Sequence, residues 1–306
     1  MLAASTIGLV IIMLANLAAL GTALCWATGG LIAIGPVRAL GSIAFNRLRL
    51  CVVSCGLLVA TALLGGWQTL DINAVIMLAL SGAMGIVMGD LALFWSLSRL
   101  GPRRNVVIYA ANAPLTALLG WIVLGEALGP WTTLGIVLVT LGVMLAVALR
   151  SGSSHSWEAV QGSLLAGVCV CLIGACGQAV GSIIAKPVMA AGTDPVAAAA
   201  VRVTAAAMML ALIGLLPGQT LGFGGKLTPR IALQVVVNGF IGIGLGMTLL
   251  LVALANGNAG VVATLSALSP VLILPMLWLW TGQRPGLGAW VGAAVAVAGV
   301  ALIVNR

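Results

Sequence analysis

Residues 1–37 carry no charged side chain, and between Asp71 and Arg99 the one formal charge is Asp90. Apolar runs of this length need cover from protein or from lipid. About 20 apolar residues take a helix across a hydrocarbon core of roughly 30 Å. Breaks at Gly, Pro and charged clusters divide the chain into ten such spans: 7–34, 41–64, 72–99, 103–124, 129–149, 161–185, 195–216, 229–255, 259–281 and 287–304. Composition decides which cover is meant. Of 306 residues, 62% are hydrophobic and 6% charged, where a soluble domain has about a quarter charged; the mean hydropathy is +1.25. A closed β-barrel also satisfies its backbone in lipid, but its short alternating segments are missing. The chain is predicted to be an all-α integral membrane protein with ten transmembrane helices.

The net charge of +8 does not point to nucleic acid. The thirteen Lys and Arg are spread through short connections, and no basic run exceeds Arg103–Arg104. Such loop bases orient a protein in the bilayer. Ten fall toward one side: Arg38, Arg47, Arg49, Arg99, Arg103, Arg104, Arg150, Lys226, Arg230 and Arg284. Three fall toward the other: Lys186, Arg202 and Arg306. By that tally both termini lie outside. The first apolar run is far longer than the roughly 7–15 residues of a signal core, so it reads as an uncleaved first helix. The six cysteines (25, 51, 55, 169, 171 and 176) fall inside spans. Cys51 and Cys55 share a face without a nearby His or carboxylate, so no metal site is expected. His155 sits in the polar connection 150–158. With one His and five acids, no acid–base pair or metal cluster can be assembled, and enzyme chemistry is not expected. No Gly-Lys-Ser/Thr loop is present for an ATP motor. No cofactor is expected.

The connection 150–158 lies at the midpoint, and the two halves repeat. Gly85 and Gly242, Gly89 and Gly246, Gly125 and Gly282, Gly135 and Gly292, and Gly142 and Gly299 are each 157 residues apart. Gly101 and Gly257, and Pro114 and Pro270, are 156 apart. The units are 1–150 and 151–306. Five spans are an odd number of crossings, so the second unit enters from the opposite side. The expectation is two inverted five-helix repeats, an arrangement typical of secondary transporters, with substrate held near the midplane where the halves meet.

The stretch "GDLALFWSLSRLGPRRNVVIYAANAPLTALLGWIVLGEALGPWTTLGIVLVTLGVMLAV" resembles the end of the EamA-type repeat of the drug/metabolite transporter superfamily. It has the Gly-rich third helix, a central Pro, "LGE" and a Gly-spaced fifth helix. "LTLLLVALANGNAGVVATLSALSPVLILPMLWLWTGQRPGLGAWVGAAVAVAGVALI" is the less complete second copy, with Gln283 where the first has Glu126. The resemblance covers nearly the whole chain. It implies a ten-helix carrier of small metabolites. It also suggests cytoplasmic termini, against the charge tally. The cationic-drug carriers of that superfamily depend on an acid in the first helix, and residues 1–37 hold none.

Candidate site residues follow from chemistry that lipid penalises. Gly85/Gly89 and Gly242/Gly246 let backbones approach closely, either as static packing or as smooth faces on which the halves rock. "GIGLG" lies inside an apolar span with no preceding strand, so it is no dinucleotide loop. Pro114 and Pro270 each remove an N–H in mid-span, and such breaks are tolerated at depth where they line a cavity or are buried in protein. Tyr109 and Asn112 precede the first, and Thr264, Ser266 and Ser269 the second. With Trp26, Trp95 and Gln178, these residues form the expected substrate cavity. Asp90, on the order of 15 Å from its helix end, should face inward with a partner. Arg47 and Arg49 descend from the same side about 200° apart, so one pairs with Asp90 and the other snorkels. Asp90 has no copy in the second half, where Met247 stands, whereas Arg47 has an approximate counterpart in Arg202. Arg202 either snorkels or meets a substrate carboxylate or phosphate.

These readings converge on a secondary transporter, most simply an exporter of small polar or amphipathic metabolites such as amino acids, in a bacterial inner membrane. The proton is a candidate coupling ion through Asp90, on whose protonation burial and an arginine neighbour act in opposite directions. The assembly is expected to be a monomer or homodimer. The alternatives are a carrier of phosphorylated or nucleotide-linked sugars, which calls for several cavity bases, and a non-transporting membrane scaffold.

Overall fold

A computed structural model describes residues 2–149, 163–214, 225–281 and 286–304. His155 and Gln283 lie outside them. Among the described residues, ten helices are long and apolar enough to cross a membrane: α1 (Gly8–Leu40), α2 (Ile43–Leu64), α3 (Ile72–Leu97), α4 (Arg104–Leu124), α5 (Pro130–Ala148), α6 (Leu164–Ala190), α7 (Pro195–Gly214), α8 (Pro229–Asn256), α9 (Ala259–Met276) and α10 (Leu287–Val304). The first and sixth run further than their sequence patterns suggest, α1 to Leu40 through Pro36 and α6 to Ala190 through Pro187. In lipid an apolar helix has no water to compete for its backbone, so one proline per helix does not end it.

Residue size is distributed inside out. The interior of α7 is Ala197–Ala200, all buried, whereas Leu63 is 82% and Leu279 86% exposed. Lipid solvates leucine as well as the protein does, so small residues hold the inside, where backbones must meet.

The halves share local irregularities at the repeat spacing. Asp71 caps α3, its carboxylate accepting from Ala74 N–H at 2.6 Å, and Thr228 caps α8 by accepting from Ile231 N–H. Both helices then widen into π-helical turns, Ala83–Met88 in α3 and Gly239–Leu245 in α8. Such turns commonly mark functional positions. In place of mid-helix kinks, α4 and α9 are interrupted one turn before their prolines, at Ala110–Ala111 and Ala267–Leu268. Pro114 and Pro270 thereby fall in the first turn of the resumed segments Asn112–Leu124 and Ser269–Thr281. A missing N–H costs least in a first turn, which is why the breaks sit where they do.

Packing at the α5–α10 seam shows the sense of the halves. A Cβ on Gly135 would press on Gly299 and Ile303, and one on Gly142 on Ala296 and Gly292. As α5 advances from Gly135 to Gly142, its partner residue on α10 retreats from Gly299 to Gly292. The fifth helices are antiparallel and touch through equivalent glycines. The halves are therefore inverted repeats about a pseudo-twofold axis. The same relation recurs nearer the centre, where Gly85 of α3 lies on Gly181 of α6 and Gly242 of α8 lies on Gly29 of α1.

Candidate substrate cavity

A cavity of about 320 Å³ lies at the junction of α1, α2, α3, α4, α6, α8 and α9. Both π-turns contribute to it, through Gly85 and Ile86 in α3 and Gly242 and Ile243 in α8. Glycine there removes side chains from the wall, and the wide turn shifts the residues that follow, bringing Asp90 and its counterpart Met247 both onto the lining. The polar side chains of the lining, Arg49, Asp90, Tyr109, Asn112, Gln178 and Ser182, come from α2, α3, α4 and α6. The apolar part of the lining comes from Trp26, Phe45, Ile86, Leu93, Ile243, Met247 and Leu250, with Ser266 among the contributions of α9. The lining includes Val37 in the last turn of α1 and, toward the opposite membrane face, extends among the described residues to Ala263, the fifth residue of α9.

The charges are ordered by local contacts. Arg49 Nη2 stands 3.4 Å from Asp90 Oδ2, with the side chains 15% and 20% exposed. Its Nε donates to Asn46 Oδ1 at 2.8 Å, and its guanidinium lies 5.3 Å from the Phe45 ring centroid. Of the two arginines on α2, Arg49 meets the acid, and Arg47 does not line the cavity. On α4 the break frees the Tyr109 carbonyl, which accepts from Asn112 Nδ2 at 2.9 Å. Ser266 Oγ donates to Ala19 O of α1 at 3.4 Å, joining the halves.

Several sequence candidates lie elsewhere. Trp95 is 39% exposed beneath the Arg99 guanidinium, 3.8 Å from its centroid, in the manner of an interfacial anchor. Pro114, Ser269 and Pro270 shape the breaks but do not line the cavity. Gly89 packs on Gly174 of α6, and Gly246 receives the Trp26 ring. Arg202 does not snorkel: it is fully buried, and its Nε, Nη1 and Nη2 have no hydrogen-bond partner among the described residues. Its Nη2 would be 3.3 Å from a Cβ on Gly85. Sequence reasoning missed Gly29, Phe45, Ser182 and Leu250. Ser182 carried a usable signal, lying one helical turn beyond Gln178; Phe45 and Leu250 look like ordinary lipid-facing residues.

The opposite face is held by another contact between halves. Gly125, at φ 67°, turns the chain after α4. That places Glu126 Oε2 to accept the Ala259 N–H at 2.7 Å, at the start of α9. A carboxylate on a free helix N-terminus is favourable for both the hydrogen bond and the helix dipole. Close by, Lys186 Nζ donates to Leu254 O at 2.7 Å.

Ten spans in two inverted halves around a part-polar cavity describe a membrane carrier. The EamA-like transporter family model matches residues 13–148 and again 165–305, so the chain belongs to the EamA-like transporter family, a membrane transporter of the drug/metabolite type. No curated protein matches it. A solved structure described as "Crystal structure of protein" is 18% identical, covers 94% of this chain and 95% of its own, and superposes with a TM-score of 0.76. At that identity the likeness concerns the fold.

Proposed function

We propose that the chain exports small polar or amphipathic metabolites, such as amino acids, by alternating access between its halves in a bacterial inner membrane. The carrying observation is the cavity at the seam, whose lining combines polar side chains with a larger apolar share. A molecule with a hydrogen-bonding head and an apolar body suits such a mixed lining. The lining reaches the last turn of α1 at Val37, on the face with more arginines, while Glu126 and Ala259 hold the halves together at the other. Exchanging which face is held gives access to each side in turn. A sugar-phosphate carrier would want several free bases. Among the described residues Arg49 is the one basic side chain lining the cavity, and Asp90 occupies it.

The test is movement of a labelled metabolite panel across proteoliposomes holding the purified protein. At least one amphipathic metabolite is expected to move faster than in protein-free vesicles. A panel that moves no faster overturns the reading as an exporter of such metabolites. Proton coupling through Asp90 is tested by Asp90→Asn in vesicles with an imposed pH gradient. The reading expects the dependence on the gradient to disappear, and an unchanged dependence removes the proton from the cycle.

A further inference from the structure

We infer that Arg202 is the anchor for an anionic group of the transported molecule, a single carboxylate received at the floor of the cavity beside Gly85. The inference rests on the transport reading and names the chemistry of its substrate.

Arg202 is the eighth residue of α7, about 10 Å along the helix from its first residue. Its side chain is wholly buried, with three nitrogens unpaired among the described residues. A guanidinium stays charged. A buried charge without a counter-charge is among the least favourable arrangements a protein can hold, so it signals a partner supplied from outside. The neighbouring helix makes room for it. A Cβ on Gly82 would collide with the Arg202 carbonyl, and Nη2 rests against the bare backbone of Gly85, which itself lines the cavity. Gln178 Oε1 lies 3.6 Å from the same Cβ position. One glycine and one amide thus stand between the guanidinium and the substrate space.

The charge count selects the ligand. Arg49 and Asp90 neutralise each other, and Lys186 is engaged at the far face by Leu254 O. Arg202 leaves one positive charge behind Gly85, just beneath the cavity lining, matching one carboxylate, which a guanidinium can bind through two parallel hydrogen bonds. A phosphate dianion would need a second free base.

The experiment is equilibrium binding of radiolabelled 3-phenylpropionate to the full chain in nanodiscs, with 3-phenylpropanamide and phenyl phosphate as competitors. The acid is expected to bind at least about tenfold tighter than its amide, in line with a charge-assisted pair. Arg202→Gln should abolish that preference, and Arg202→Lys should keep part of it. Thermal unfolding of Arg202→Gln and Arg202→Met should occur at or above the parental temperature, because an uncompensated charge is removed. Equal binding of acid and amide, no binding, tighter binding of phenyl phosphate, a preference that survives Arg202→Gln, or lowered stability in both neutral variants overturns the inference. Arg202-dependent binding without movement in proteoliposomes would instead sink the transport reading and leave the anion site standing.

Discussion

Asp90 and Arg49 each hold the other in place, and neither is tolerable alone. Removing one partner of a buried ion pair typically costs about 3–5 kcal/mol; at 15% and 20% exposure the expected loss is nearer about 1–3 kcal/mol. Asp90→Asn and Arg49→Gln should each lower the unfolding temperature in detergent, and the double variant should recover most of the loss. Two single losses that simply add would show that the pair is not an energetic unit. The need for a partner was legible from one acid in an apolar run. The choice of Arg49 over Arg47 was not, because it depends on how α2 is rotated against α3.

Among the elements, α5 and α10 show most directly what lipid demands of a helix pair. A Cβ on Gly142 or Gly292 would overlap the Ala296 or Ala146 backbone, which the far end of no flexible side chain can relieve. Gly142→Val and Gly292→Val should each cost about 1–3 kcal/mol or more by overpacking. The readout is the monodisperse fraction on size exclusion. Gly129→Ala, with open space around it and φ of −64°, should leave that fraction unchanged. Normal behaviour of both valine variants would mean that the seam is looser than its backbone contacts imply. The spacing of these glycines was visible in the repeat. The π-turns of α3 and α8 were not, since a wide turn is one residue's excess in the hydrogen-bond ladder and leaves no compositional mark.

At the scale of the molecule, the Glu126 carboxylate at the start of α9 ties the halves at the face opposite the α1 end that the cavity lining reaches. Glu126→Ala should weaken that tie and populate the reverse opening. Spin labels introduced by Ala127→Cys and Asn258→Cys, in a background without the six native cysteines, report it by electron–electron double resonance. The expected result is a longer or broader distance distribution than with Glu126 present. An unchanged distribution would mean that the contact does not control opening.

Hydropathy and the glycine repeat were sufficient to determine ten spans and the inverted halves, and two longer stretches carried the resemblance to the family. Those properties follow from the cost of exposing charge or backbone to lipid, which each stretch of sequence meets locally. The tertiary structure alone decided which side chains share the cavity: Arg49 but not Arg47, Tyr109 but not Trp95, and Arg202 buried beneath the floor. Each choice turns on the rotation of one helix against another, set by backbone contacts between residues far apart in the chain.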